Sequence, residues 1–251
     1  MTSMSARIPP GQRVYAVGDI HGRYDLLETL HAAIAADAGD ASALAKTIVY
    51  LGDYVDRGGQ VYEVVDALAS GAADGWTRIC LKGNHEDMML GCLAGTHPFD
   101  VWLMNGGDAT LAAYGADLGG AGRTRAWAFA AGAGGPAAEA GAALAAALPP
   151  THAAFLDALP LHHRCGDYLF VHAGIRPGLP LEEQNPQDLM WIRETFLGSD
   201  ADHGAVVVHG HTIFNEVDIR PNRIGVDTGA WRSGRLSCIV LEGDEVRIIQ
   251  T

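Results

Sequence analysis

A layered α/β sandwich is the fold class this 251-residue sequence predicts. Three observations carry it. Short apolar runs of strand length recur in both halves of the chain, helix-period stripes separate the early ones, and short glycine-bearing turns separate the late ones. With 48% hydrophobic residues, the chain can bury a core for a single domain, or for one domain and a small appendage.

The elements follow in order. "RVYAVGD" reads as a strand and leads into 24–36, where Leu26, Leu27, Leu30, Ala33 and Ile34 form one apolar stripe at helical spacing. "KTIVYLGD" and "TRICLKGN" are the next two strands, followed by helices expected over 60–70 and 86–94. This βαβαβα order predicts mostly parallel pairing. Between about residues 98 and 160 the strand signal vanishes and alanine, glycine and proline dominate. Alanine favours helix and the other two interrupt it, so this stretch is expected to be a helical insert in a single domain spanning 1–251, with "AGAGG" (131–135) open to disorder. Strand signals then resume in "DYLFVHAG", "AVVVHGH", "NRIGVDTG", "LSCIVLEG" and "EVRIIQ". Turns as short as "EGDE" favour antiparallel hairpins there.

Charge and composition remove some function classes. A formal net charge of −13 argues against a nucleic-acid backbone or an anionic membrane as partner, but a few local cations can still hold one phosphoryl group. No apolar run is long enough to span a bilayer, and "MTSMSARIPPGQR" lacks the apolar stretch of a signal peptide, so a cytoplasmic protein is expected. The four cysteines show no CxxC spacing and are expected to be reduced thiols.

The chemistry gathers at the strand tips. "VYAVGDIHG" delivers Asp19 and His21; "VYLGDYVDRGG" delivers Asp53, Asp56 and Arg57; "ICLKGNHE" delivers Asn84 and His85. "YLFVHAG" and "VVVHGH" end in His172 and His211. A lone Asp after a strand is ordinarily a turn former or helix cap. Five runs ending alike, beside glycines that permit sharp turns, point to one ligand site at the C-terminal edge of a sheet. Carboxylate, amide carbonyl and imidazole together suit manganese, iron or zinc, and a metal pair would compensate their joint burial.

"GDIHG", "GDYVDRG" and "GNHE", followed by "HAG" and "GHT", resemble the phosphoprotein phosphatase branch of the calcineurin-like metallophosphoesterases, and most closely its bacterial and phage serine/threonine phosphatases. The motifs run from Gly18 to Thr212. The resemblance implies a four-layer αββα sandwich with a dinuclear centre at its lip. Carried over position by position, one metal lies among Asp19, His21 and Asp53, and the second among Asp53, Asn84, His172 and His211. Two manganese ions are the first expectation, with iron or zinc as the other candidates. They would clamp a phosphoryl oxygen and ionise a shared water, and the bridging hydroxide would attack phosphorus directly.

In that scheme His85 gives the leaving alkoxide its proton and Asp56 orients His85. Arg57 and Arg193 hold the phosphate, Arg57 through its planar fork. Lys82 departs from the arginine that relatives often carry before "GNHE", which weakens or removes a substrate contact there. His209 is expected to support a metal ligand from behind or to be structural, and Asp227 to support the metal shell from behind. Asn105 and Asp108, in "WLMNGGDATLAAYG", are expected to cap helices, with substrate contact as the other role. The expected activity is a metal-dependent phosphomonoesterase, first of all a serine/threonine protein phosphatase, acting on a phosphorylated protein or small phosphoester. A nucleotide hydrolase similar to the symmetrical diadenosine tetraphosphatases is the alternative. A non-catalytic metal-binding module should have lost a ligand or the acid, and none is missing here.

Overall fold

The computed structural model of the protein describes residues 6–39, 43–71, 74–116 and 136–251. The expected "AGAGG" break at 131–135 lies outside the described residues. Strand-forming runs assemble into two five-stranded sheets. In the first, β1 (Gln12–Val17), β2 (Ala45–Tyr50) and β3 (Trp76–Cys80) are parallel, β9 (Ser237–Glu242) adds antiparallel to β1, and β10 (Glu245–Gln250) adds antiparallel to β9, in the order β10-β9-β1-β2-β3. The second has the order β4-β5-β6-β8-β7, with β4 at His162–Cys165, β5 at Tyr168–Val171, β6 at Val206–His209, β7 at Asp218–Ile219 and β8 at Arg223–Gly225.

The period-2 alternation of strand side chains separates the layers. Val14, Ala16, Val49, Leu51, Ile239 and Leu241 of the first sheet pack against Tyr168, Phe170, Val208 and Ile224 of the second, closing a core between the sheets. The intervening residues face outward. Tyr15, Val17, Ile48, Tyr50, Cys238 and Val240 meet α1 (Tyr24–Gly39), α2 (Val61–Ala69) and α3 (Asn84–Leu93). Leu169, Val171 and Val207 meet α8 (Pro186–Trp191) and α9 (Glu194–Leu197). The result is the expected αββα order. Its stripe on α1 is buried at Leu27, Leu30 and Ile34, as the spacing predicts.

The described part of 98–160 is helical: α4 (Phe99–Trp102), a π-helical turn at Leu103–Gly107, α5 (Asp108–Ala113), α6 (Pro136–Ala147) and α7 (Pro150–Asp157). Trp102, Leu111, Leu144 and Leu156 of these helices, with Tyr114 just past the end of α5, join the core on the outer side of the first sheet. A last short helix, α10 (Ala230–Ser233), follows β8.

One topological expectation is corrected. The hairpin at "EGDE" is antiparallel, but "YLFV", "VVVH" and "RIG" pair parallel to one another. The chain from β5 to β6 passes through α8 and α9 rather than a tight turn, and such a crossover delivers a parallel strand. That correction matters for the site. Parallel β1–β3 and parallel β5, β6 and β8 all present C-terminal ends to loops that can meet. No helix among the described residues is long and apolar enough to cross a membrane.

Candidate metal centre

Asp53 is the hub. Its Oδ2 lies 3.4 Å from His21 Nε2 and 3.9 Å from His85 Nε2, while Oδ1 lies 3.4 Å from His172 Nε2. Two groups of potential ligand atoms share it: His21, Asp53 and His85, and Asp53, His172 and His211, the atoms of each lying within 4.8 Å of one another. Asn84 joins the second group. Its Oδ1 stands 2.9 Å from both His172 Nε2 and His211 Nδ1.

The donor chemistry fits a cation. His172 Nδ1 donates to the Leu51 carbonyl at 2.7 Å and His21 Nδ1 to the Val55 carbonyl at 2.8 Å, which leaves each Nε2 as a bare lone pair. His172 Nε2 then faces only acceptors, Asn84 Oδ1 and Asp53 Oδ1. A proton could satisfy them, but burial pulls the pKa of His172 down, so a metal ion suits this cluster better. Burial opposes the Asp53 charge too. The surrounding imidazoles of His172, His85, His21 and His211 overcome it and hold that carboxyl well below the usual range.

Asp19 belongs to neither three-residue group, but it is buried at the same lip. Its carboxylate accepts the His211 backbone N–H at 3.0 Å, and burial, together with Asp227 and Asp53, pushes its pKa up. His85, expected as the acid alone, stands among the potential ligands of the first group. Asp227 is buried beside Asp19 and accepts the Gly229 N–H at 2.8 Å.

The local backbone is held where few side chains allow it. His21 (φ 46°), Asp53 (55°), Asp56 (70°), Arg57 (68°) and His211 (61°) are the non-glycine residues with positive φ among the described residues, and all five belong to the site. Gly52 (φ 104°) makes the approach possible, since a Cβ there would stand 2.8 Å from His172 Nδ1 and 2.7 Å from the Gly83 nitrogen. Glu86 fixes the same loop. Buried at the start of α3, its two oxygens accept backbone N–H groups from Asp53 (2.9 Å), Tyr54 (2.7 Å), Val55 (3.2 Å) and Gly83 (2.9 Å). Glu86, within "GNHE", is a functional residue that the motifs at the strand tips do not single out. An acidic residue three positions past Gly83 was the available signal.

Beside the metal groups, His85 Nδ1 meets Asp56 Oδ2 at 2.7 Å. Asp56 also accepts Trp102 Nε1 at 2.9 Å and the Thr110 hydroxyl at 2.5 Å. Burial pulls His85 down, but Asp53 and the hydrogen-bonded Asp56 outweigh it and raise its pKa above the ordinary value. Arg57 reaches inward. Its Nη1 donates to His21 Nε2 and its Nη2 to His85 Nε2, each at 2.9 Å, and its guanidinium lies 5.3 Å from the centre of the Trp231 ring.

Arg193 lies at the edge, 3.4 Å from Thr212 Oγ1 and 3.5 Å from the His211 carbonyl. Lys82 is engaged by Asp87 at 3.3 Å; Asn105, expected to cap a helix, instead lies inside the π-helical turn, where its amide donates to the Val101 carbonyl one turn back. Asp108 opens α5 without serving as its N-cap, which is Gly107.

His209 is fully buried between Phe196 and Phe214, with Nε2 unpartnered among the described residues. Burial lowers its pKa to about 4. The unfolded chain, with a histidine pKa of about 6.5, therefore binds the extra proton between those values, so stability is full above about pH 6.5 and falls as pH drops toward 4. Metal-free His209→Leu protein should lose less melting temperature than the parent over that interval; an identical pH slope would contradict this.

Comparison with known proteins agrees with this geometry. The chain is 34% identical over 100 residues to serine/threonine-protein phosphatase 2 of Escherichia coli (strain K12), a match covering 39% of this chain and 39% of that protein. Among solved structures, one provisionally named a diadenosine tetraphosphatase superposes with TM-score 0.63 at 21% identity, covering 98% of each chain. A protein serine/threonine phosphatase from Saccharomyces cerevisiae, similar to human phosphatase PP5, gives TM-score 0.55 at 14% identity over 96% of this chain and 80% of that one. The cold-active protein-tyrosine phosphatase of a psychrophilic Shewanella species gives 0.56 at 19% identity, covering 100% and 85%. Identities this low speak to fold alone. The calcineurin-like phosphoesterase profile, however, matches residues 12–229, and with two groups of potential ligands meeting at Asp53 the chain belongs to that family.

Proposed function

We propose that the protein is a phosphomonoesterase using two divalent metal ions, manganese first among them, and acting on phosphoserine or phosphothreonine in proteins. The observation that carries this reading is the Asp56–His85 pair standing directly beside two ligand groups that share Asp53. Asp19, His21 and Asp53 would hold one ion, and Asp53, Asn84, His172 and His211 the other. When bound, such a pair supplies Lewis acidity to the phosphoryl group and lowers the pKa of water.

The remaining work falls to side chains. Arg57 leaves His21 and His85 to grip two phosphate oxygens with its fork, and Arg193 closes on the phosphate from the far edge. Freed of Arg57, His85 Nε2 takes up a proton from solvent and gives it to the departing oxygen, while Asp56 holds Nδ1 and favours the protonated ring. Among the described residues of 98–160, Trp102, Gly106 and Thr110 form one wall of this site.

Manganese-loaded protein should hydrolyse a phosphoserine peptide, lose that activity to a chelator and regain it on addition of Mn(II). Activity that survives exhaustive metal removal would overturn the reading. His85→Asn should keep its metal content while kcat falls by about 10²–10⁴. A nucleotide hydrolase is the second reading, supported by the near-complete coverage of the diadenosine tetraphosphatase-named structure. Faster turnover of a dinucleoside polyphosphate than of the phosphopeptide would favour it.

A further inference from the structure

We infer that Trp102 and Thr110, supplied by the helical segment outside the two sheets, are positioning residues for the acid, so that protonation of the leaving group depends on α4 and α5. The inference rests on the reading of His85 as general acid. Asp56 is wholly buried, and its carboxylate meets three donors from three different places. His85 Nδ1 (2.7 Å) and Trp102 Nε1 (2.9 Å) share Oδ2, and the Thr110 hydroxyl takes Oδ1 at 2.5 Å. Thr110 acts twice, because the same oxygen accepts the Asp56 backbone N–H at 3.0 Å. Main chain and carboxylate of one residue are therefore fixed by a single side chain.

That grip is needed locally. Asp56 and its neighbour Arg57 both have φ near +70°, a conformation that persists only where surroundings enforce it. Arg57 is enforced from the same segment, its N–H donating at 3.0 Å to the carbonyl of Gly106 inside the π-helical turn. Trp102 is locked in turn by the edge of Phe99 (ring centroids 5.3 Å apart) and by close packing on Gly107. Donors on a rigid helical wall fix the plane of the Asp56 carboxylate. That plane sets the direction of the His85 ring, and with it where Nε2 points.

A positioning role for the acid differs from a general structural one in how it depends on the leaving group. Phenyl phosphate needs a proton to release its phenolate; p-nitrophenyl phosphate releases a stable anion and needs it far less. With manganese-loaded full-length chain, Thr110→Val and Trp102→Phe should lower kcat on phenyl phosphate roughly 10- to 100-fold, the effect of losing a hydrogen bond to a charged group. On p-nitrophenyl phosphate the loss should stay within about threefold. Metal content and KM should hold, and Thr110→Ser, which keeps the hydroxyl, should restore the phenyl phosphate rate.

Equal losses on both substrates, or none on either, would overturn the inference. Thr110→Val decides alone if Trp102→Phe does not fold. His85→Asn separates the two levels: if it shows no leaving-group dependence, the acid assignment falls, whereas dependence in His85→Asn without it in Thr110→Val defeats this inference only.

Discussion

Asp53→Asn should bind neither metal ion tightly and should lose more than about a thousandfold in turnover. Asp53 is the only residue common to the two groups of potential ligands among the described residues. Its oxygens face opposite ways, Oδ1 toward His172 and Oδ2 toward His21. An amide keeps the shape but removes the negative charge and offers an N–H₂ where one group needs a lone pair. Metal assistance supplies several kcal/mol at a phosphoryl transition state, and each ~1.4 kcal/mol is a factor of ten. Metal analysis of purified variant together with p-nitrophenyl phosphate assays checks it. A variant retaining two ions and turnover within tenfold of the parent would remove Asp53 from the centre of the account.

Glu86→Ala should cost the fold more than any other single change near the site. Four backbone N–H groups converge on that carboxylate, and the residue is fully buried. Each buried donor left without an acceptor costs about 1–3 kcal/mol, against a total stability of about 5–15 kcal/mol. Water entering the cavity would recover part of this. At about 2–4 °C per kcal/mol for a chain this long, melting should drop by more than about 10 °C. Glu86→Gln keeps one carbonyl oxygen and should stay folded, but with weaker metal binding, because the loop carrying Asp53 loses two of its acceptor contacts. Melting curves and metal titrations test the pair. A Glu86→Ala protein melting within a few degrees of the parent would show that the loop holds itself.

Most of the centre was legible because its residues sit at the ends of apolar runs, beside glycine, where the period-2 signal stops. His21, Asp53, Asn84, His172 and His211 converge as that pattern implied. The parallel pairing of β5, β6 and β8 was less legible, since a short strand carries no mark of its direction and only the crossover through α8 and α9 fixes it. β4 escaped notice because "HHRC" sits on a sheet edge with two of its four residues exposed, and so lacks an apolar stripe. Trp102 and Thr110 were illegible as partners of Asp56. They lie some fifty residues away in sequence, and a tryptophan or threonine in a helical stretch reads as packing until the donor is seen to meet a carboxylate. Asn105 and Asp108, which looked more chemical, turn to local backbone and helix start.

Five side-chain-bearing residues at the lip carry left-handed backbone. At about 1–2 kcal/mol apiece, their combined tension rivals the margin that keeps an ordinary protein folded. A ligand that binds only the native state repays such a debt by mass action. Cation supply would then govern how long the molecule endures as well as how fast it works, with scarcity of the ion loosening the clasp before heat does.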